Sequence, residues 1–152
     1  MLNLEYLTNA EGNKIAVVIP IDIWRKLLPT EDTSEVELTE AMDRIETYRN
    51  MIRNALKSYL DISYANANIR NRAAFDSESD QYLIISEGWA EKKHLHSCLI
   101  HIEIINGKVW IQCDNTEYGV ANELMQSGIP KEDIVLGFHE PNVRQYTGFA
   151  VA

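Results

Sequence analysis

Apolar positions recur with two different periods along this chain. In residues 43–60 they follow the three- and four-residue spacing of a helix that buries one face. The apolar positions of this helix are Ile45, Tyr48, Ile52, Ala55, Leu56 and Tyr59. Shorter segments with a two-residue period or a continuous apolar run follow it, and these indicate β-strands. The pattern therefore predicts one long amphipathic helix ahead of a group of strands.

Four strands are predicted after this helix, at residues 69–76, 81–88, 95–105 and 108–113. Asn106-Gly107 separates the last two and favours a tight hairpin turn, because both residues accept a positive φ. A second, shorter helix is predicted at 117–127, with Gly128 as its C-terminal cap. Short closing strands are predicted at 135–138 and 144–151. An antiparallel β-meander flanked by two helices is an α+β fold.

The Asn-Gly turn also gives an expected register, with Ile105 opposite Lys108 and His101 opposite Gln112. Because side chains alternate along a strand, one face of this hairpin would be apolar and the other mixed. The expected core face contains Cys98, Ile100, Ile102, Ile104, Val109, Ile111 and Cys113. The mixed face contains Leu99, His101, Glu103, Trp110 and Gln112. We expect the mixed face to meet water, a loop or a partner.

The first 40 residues follow a different pattern. Residues 4–7 and 14–20 flank a glycine-containing turn and predict a small hairpin, and Asp22 is the predicted N-cap of a short helix at 23–28. Residues 29–40 contain five acids and no base, which predicts an acidic linker or an irregular helix start. The predicted divisions are therefore 1–28, 29–40 and 41–152.

Composition narrows the class of protein. The chain has 152 residues, 45 % of them hydrophobic, and a net charge of −9. This charge argues against non-specific DNA binding by the whole surface, because phosphate neutralisation requires Lys and Arg. The sequence has no apolar run of membrane-spanning length and only two cysteines. We expect a cytoplasmic protein without membrane association, and without a cofactor because glycine-rich phosphate-binding motifs are missing.

The strand that begins near His94 contains residue types that bind metal ions. His94 and His96 share a face with Cys98, and Cys113 lies diagonally across the predicted hairpin. Zinc needs three or four such ligands to converge, and the Cys-x-x-Cys spacing typical of structural zinc sites is absent. The sequence therefore predicts small core cysteines, and no metal site.

A nuclease arrangement is the enzymatic alternative. Asp80, followed by Glu91, Lys92 and Lys93, has the order of the acid and the Glu-x-Lys group that hold Mg²⁺ in restriction-type nucleases. Residues 90–93, however, are predicted to form a turn, whereas catalysis needs these groups on one rigid strand face. No catalytic residue is predicted, and Mg²⁺-dependent cleavage of nucleic acid remains the alternative.

Two surfaces are candidates for binding. Arg49, Arg53 and Lys57 recur every four residues and would place three cations on one helix face, for DNA, an acidic partner or only solvent. At the C-terminus, GFHEPNVRQYTGFAVA contains four polar residues of a predicted partner-facing corner. These are His139, Glu140, Arg144 and Tyr146. The alternative is a structural turn held by Arg144, with Tyr146 packed in a closing strand.

Residues 43–152 resemble the XisI family of cyanobacterial proteins, named as controlling factors for excision of the fdxN DNA element. The stretches that carry the resemblance are YRNMIRNALKSY, FDSESDQYLIISEGW, CLIHIEIINGKVWIQCDNTE and GIPKEDIVLGFHEPNVRQYTGFAVA. The resemblance implies an accessory factor to a site-specific recombinase, and no enzyme. It also implies a partner, the sister protein XisH, whose fold resembles restriction-type nucleases.

Residues 1–40 lie outside this resemblance. LEYLTNAEGNKIAVVIPIDIW is similar to the start of small cyanobacterial antitoxin-type proteins. The two resemblances together imply a chain that binds and controls an XisH-type nuclease. Partner contacts are predicted at the C-terminal corner and at His101 and Trp110. The exposed face with Trp110 would also allow self-association, and direct DNA binding through the basic helix face is a further alternative.

Overall fold

The computed structural model describes residues 5–18 and 33–152, and the chain divides into two units, 1–39 and 40–152. In the first unit, β1 (Glu5–Thr8) and β2 (Lys14–Val18) form an antiparallel hairpin. The Asn9 side chain closes its turn by accepting backbone N–H groups of Glu11 and Asn13. The predicted hairpin is therefore present, while the helix predicted at 23–28 lies outside the described residues.

A single long helix, α1 (Thr33–Lys57), replaces most of the predicted acidic linker. It begins ten residues before the start that the apolar pattern predicts, so residues 33–40 are helical, which was the alternative for this segment. The segment contains no Gly or Pro, and acidic side chains near a helix N-terminus interact favourably with the helix dipole. Helix propensity and charge therefore extend the helix beyond its apolar stripe.

The second unit is an α+β fold built on a five-stranded sheet of order β3-β4-β5-β6-β7. The strands are β3 (Asn68–Asp76), β4 (Gln81–Ala90), β5 (Lys93–Ile105), β6 (Lys108–Asp114) and β7 (Ile134–Leu136). Two short helices follow β6, namely α2 (Val120–Gln126) and α3 (Pro141–Arg144), and 3-10 turns occupy Ser58–Asp61 and Lys131–Asp133. The predicted antiparallel meander of β3 to β6 and the second helix are confirmed.

The predicted hairpin register is correct near the turn and wrong beyond it. Ile105 to Ile102 pair with Lys108 to Ile111 as expected, and Asn106 and Gly107 both have positive φ. A register shift between His101 and Ile102 then places His101 opposite Cys113. An irregularity of this kind leaves an extra residue in one strand. Cys113 therefore belongs with His101 and not with the core face of Ile102.

The end of the chain also differs from its prediction. β7 runs parallel to β6, so the closing strand is not a continuation of the antiparallel meander. The prediction of a strand at 144–151 is wrong, because Pro141 starts the helical turn α3. In this segment only Ala150 forms a β-bridge, to Val135. Proline favours the first position of a helix, where its missing N–H is not needed.

The core lies between the helices and one face of the sheet. α1 contributes Tyr48, Ile52 and Leu56, and the sheet meets them with a row of aliphatic side chains and Tyr82. The fully buried sheet residues of this layer are Tyr82, Ile84, Ile100, Ile102, Val109, Ile111 and Ile134. Burying one such aliphatic side chain stabilises a fold by about 1.5–3 kcal/mol. This layer therefore supplies the main driving force for placing α1 on the sheet.

Two tyrosine hydroxyls connect α1 and the 3-10 turn after it to elements later in the chain. Tyr48 donates to Asp133 at 2.5 Å, and Tyr59, in the 3-10 turn after α1, donates to Glu123 of α2 at 2.5 Å. Burial, together with the hydrogen bond to Asp133, raises the pKa of Tyr48 to about 12. The hydroxyl therefore stays protonated and keeps its role as a donor over the whole ordinary pH range.

An ion pair joins α1 to the turn between β3 and β4. Arg49 Nε lies 2.8 Å from Asp80 Oδ1 and Arg49 Nη2 lies 2.9 Å from Asp80 Oδ2, a two-pronged geometry. Tyr82 also donates to Asp80 at 3.1 Å. The Arg49 hydrogen bonds hold the pKa of Asp80 below its usual value. Because both side chains are less than a third exposed, this pair contributes to stability.

We expect Asp80→Asn to lower the free energy of unfolding at neutral pH by about 1–3 kcal/mol. Because the folded-state pKa of Asp80 is depressed, its contribution is present above the unfolded pKa of about 3.9 and disappears as the pH falls through the folded value. Urea unfolding followed by circular dichroism at a series of pH values should show the two proteins converging in acid. Asp61→Asn, which changes an exposed carboxylate, is the control. Equal stability of both variants and the wild type at every pH would contradict this account.

A glycine is required where β3 passes β4. Gly88 has φ +148°, and a Cβ there would lie 2.0 Å from the backbone oxygen of Asn68. Gly107, with φ +78°, would meet only the flexible end of Arg44 at 3.6 Å. Gly88→Ala should therefore lower the unfolding midpoint in urea clearly more than Gly107→Ala. At Gly107 the only cost is that alanine must adopt a left-handed backbone conformation, which destabilises the fold by about 1–2 kcal/mol. The reverse order would show that β3 moves away without cost.

Candidate functional site: the C-terminal corner

The residues after β7, 137–152, form a segment that we call the C-terminal corner. It lies close against β6, because a Cβ on Gly137 would be 2.5 Å from Gln112 Oε1 and 3.1 Å from the Ile111 oxygen. The His139 N–H donates to the Leu136 oxygen at 3.1 Å, and the Ala150 N–H donates to the Ile134 oxygen at 2.9 Å. Both ends of the corner are therefore attached to β7.

Arg144 holds the middle of the corner together. Its guanidinium donates to the backbone oxygens of His139 at 3.0 Å, Gly137 at 3.4 Å and Val151 at 3.5 Å. Its central carbon lies 5.1 Å from the centroid of the Trp110 ring, a cation–π distance. Of the four polar residues that the sequence singles out here, Arg144 thus has the structural role that was the alternative.

The outward surface of the corner combines exposed aromatic and aliphatic side chains with polar ones. Tyr146 is 82 % exposed, Phe138 47 % and Val143 42 %. The rings of Phe138 and His139 lie against each other with centroids 4.6 Å apart, and Glu140 is exposed at the start of α3. The prediction that Tyr146 is packed is wrong, because the chain turns there and does not continue as a strand. Exposed aromatic side chains on a fixed backbone are typical of protein-binding surfaces.

His101 and Trp110, the other predicted contact residues, are engaged inside the protein. The His101 ring lies 2.6 Å from Gln81 Oε1, and Glu103 accepts hydrogen bonds from Gln81 and Gln112. Trp110 is half-buried beneath Arg144. The mixed face of the hairpin therefore meets a loop at this point, and Trp110 does not offer an open surface for self-association.

The predicted basic helix face is largely occupied. Arg49 pairs with Asp80 and Glu46, and Arg53 donates to Ser77 and lies 5.8 Å from the Tyr82 ring centroid. Lys57 is exposed. Arg49 is thus neutralised by carboxylates, whereas Arg53 keeps its charge and holds the turn between β3 and β4. The face therefore offers a DNA backbone or an acidic partner one cation fewer than its spacing suggests.

The structure does not assemble the nuclease arrangement. Asp80 precedes β4 and Glu91 follows it, so the strand separates them by about 30 Å at 3.3 Å per residue. Glu91 lies in a turn with φ +54°, as the sequence predicts. Asp80 is moreover committed to Arg49. One Mg²⁺ ion could not bridge these groups.

The histidine and cysteine residues of β5 and β6 do not form a metal centre. Burial, with Cys113 nearby, raises the pKa of the Cys98 thiol, which disfavours the thiolate that binds metal. Within residues 5–18 and 33–152, no group of three or more His, Cys, Asp or Glu side chains is placed to hold a metal ion.

Sequence reasoning did not identify two groups of side chains that the fold exposes together. Phe138 and Val143 are exposed in the corner. Phe138 ends the predicted strand 135–138, where an apolar residue is assigned to the core by default, and Val143 lies between the two predicted closing strands. Arg70, Arg72 and Trp89 lie on one face of the sheet, and only the pairing of β3 with β4 brings them together. The sequence signal for this face is the two-residue spacing of Arg70 and Arg72 in the predicted strand 69–76.

The comparisons with known proteins agree with this fold. The family described as XisI protein matches residues 42–151. This chain belongs to the XisI family. Among solved structures, the fdxN element excision controlling factor XisI from Anabaena variabilis ATCC 29413 is 37% identical, with a TM-score of 0.62. The match covers 72% of this chain and 99% of that one.

A second solved structure, a XisI-like protein from the same organism, is 32% identical, with a TM-score of 0.60. This match covers 74% of this chain and 99% of that chain. No curated protein matches the chain. Both solved XisI structures are thus covered almost completely, and the family match includes the whole C-terminal corner up to Val151. In the part of the chain that the structure describes, no helix is long and apolar enough to cross a membrane.

We expect Arg144→Lys to loosen the corner although the charge is kept, since lysine cannot reach several carbonyl oxygens with one planar group. The free energy of unfolding should fall by about 1–3 kcal/mol, and amide hydrogen exchange of residues 137–151 should accelerate. Gln145→Ala is the control, because this exposed neighbour makes a single hydrogen bond, to the Asn142 oxygen. Exchange rates that rise equally in both variants would contradict the role of Arg144.

Proposed function

We propose that this XisI-family protein is a non-enzymatic factor that binds and controls an XisH-type, nuclease-like protein in the cytoplasm. A regulatory role is supported by the family and by the name of the solved relative, an excision controlling factor. The partner would act with a site-specific recombinase in the excision of a DNA element. Control would come from association, and this chain would supply a binding surface and no reacting group.

The exposed aromatic surface of the C-terminal corner is the observation that carries this proposal. Phe138, Val143 and Tyr146 project from a backbone that Arg144 fixes at three carbonyl oxygens. A surface that is already ordered loses little conformational entropy on binding, so more of the contact energy appears as affinity. Aromatic side chains are also the residues that most often dominate binding energies at protein interfaces.

Charge and the N-terminal hairpin support the same partner. The net charge of −9 suits a basic protein that itself binds DNA, because complementary potentials speed association and exclude wrong partners. The two-stranded sheet of β1 and β2 leaves each strand one edge that no described strand pairs. An edge of this kind can add to a partner's sheet, as expected for an antitoxin-like segment.

Co-expression of this chain with an XisH-type protein should give a complex that stays together in size-exclusion chromatography at micromolar concentration and low salt. Tyr146→Ala should weaken the complex at least about tenfold in isothermal titration calorimetry, as for a central interface aromatic. Tyr118→Ala is the matched control, since Tyr118 is 81 % exposed and Tyr146 82 %. Separate elution of the two wild-type proteins would reject the proposed partner. Equal effects of both substitutions would remove the corner from the interface.

A further inference from the structure

A second candidate surface lies on the opposite side of the sheet from α1. The helices cover the face that carries Tyr82, Ile84, Ile100 and Ile102. On the other face, the C-terminal corner covers β6 through the contact of Arg144 with Trp110. The part of this face that β3, β4 and the start of β5 form has a different composition. We call this part the outer basic face. Its residues are Arg70, Arg72, Glu87, Trp89, His94 and His96.

Strand pairing arranges these residues in rows. Arg70 is opposite Glu87, which is opposite His96 on the next strand. One step further along, Trp89 is opposite His94. Directly opposed residues in an antiparallel pair point to the same side of the sheet, and successive residues on that side are about 6.7 Å apart along a strand. We call Arg70, Arg72 and the Glu87 that both arginines contact the cationic row, and Trp89 with His94 the aromatic row. The two rows therefore lie next to each other.

The cationic row carries more positive charge than its one carboxylate can neutralise. Arg70 Nη2 and Arg72 Nη1 lie 3.0 and 3.1 Å from the same oxygen, Glu87 Oε1. The two arginine side chains are still 70% and 61% exposed, so several of their N–H groups face solvent. Lys92 is exposed in the adjoining turn, next to Glu91. In a protein of net charge −9, this is a local positive patch.

The aromatic row is open on the solvent side. Trp89 is 54% exposed, and its ring centroid lies 4.8 Å from that of His94. His94 lies in turn 6.4 Å from His96. These rings leave an indole face available to a flat ligand. Gly88, whose close contact with β3 admits no side chain, fixes the backbone next to Trp89.

We propose that the outer basic face binds single-stranded nucleic acid, with phosphates on Arg70 and Arg72 and bases stacked on Trp89 and His94. Proteins that bind single strands combine a positive track for the backbone with aromatic side chains for the bases. An acidic peptide would use the arginines but leave the indole face without a partner. A second copy of the chain would bring like charges together in an isologous contact.

The test is fluorescence anisotropy of a fluorescein-labelled single-stranded DNA of mixed sequence with the full chain at low salt. We expect a dissociation constant in the micromolar range and a fall in log affinity with log salt of about −0.7 per phosphate contact. Arg72→Ala should weaken binding and make this slope shallower by about 0.7. Trp89→Ala should weaken binding about tenfold without changing the slope, and Trp89→Phe should restore most of it.

Lys57→Ala, on α1, is the control and should leave affinity and slope unchanged. Circular dichroism of every variant shows whether the sheet is intact. No binding of the oligonucleotide at low salt would overturn the proposal. The proposal would also be overturned if polyglutamate bound as tightly as the oligonucleotide and Trp89→Ala changed neither affinity. That result would indicate an acidic protein ligand. Since no protein partner is present, failure here is distinguishable from failure of the XisH-type complex.

Discussion

In the second unit, α1 and α2 pack on the same face of a single sheet, and the rest of the structure depends on this. Tyr48, Ile52 and Leu56 of α1 meet the aliphatic row of β4, β5 and β6, and Arg49 fixes the helix to the turn at Asp80. Among the described residues, the other face is covered by no helix except the short helical turn α3 at β6. It must therefore be covered by loops or carry side chains that tolerate water.

The two candidate surfaces correspond to these two ways of treating the second face of the sheet. At β6, the C-terminal corner covers the sheet, with Arg144 over Trp110, and exposes Tyr146 and Phe138 on its far side. At β3, β4 and the start of β5, arginine, histidine and tryptophan side chains remain exposed. Since β3 and β7 are opposite edges of the sheet, the exposed aromatic side chains of the corner and the charged surface are separated on the same molecule. A factor that joins a DNA-processing protein to nucleic acid would need this separation.

The elements with strong local signals could be predicted from sequence. The helical period through Ile52 and the Asn106-Gly107 turn identified α1 and the β5–β6 hairpin, because both signals depend on neighbours in the chain. The register shift at His101 and the helical turn at Pro141 could not be predicted, since tertiary contacts select them. Arg49 is the clearest case on the surface. Its spacing with Arg53 suggests a free basic face, but Asp80, 31 residues away, neutralises it.

The most direct test of the account is hydrogen–deuterium exchange of the full chain, alone and in complex with an XisH-type protein. The account predicts new protection in residues 137–152, around the exposed rings of Phe138 and Tyr146, and little change in α1 beyond residue 45, where the core already protects the amides. Protection confined to α1, with the C-terminal corner exchanging as in the free protein, would contradict it.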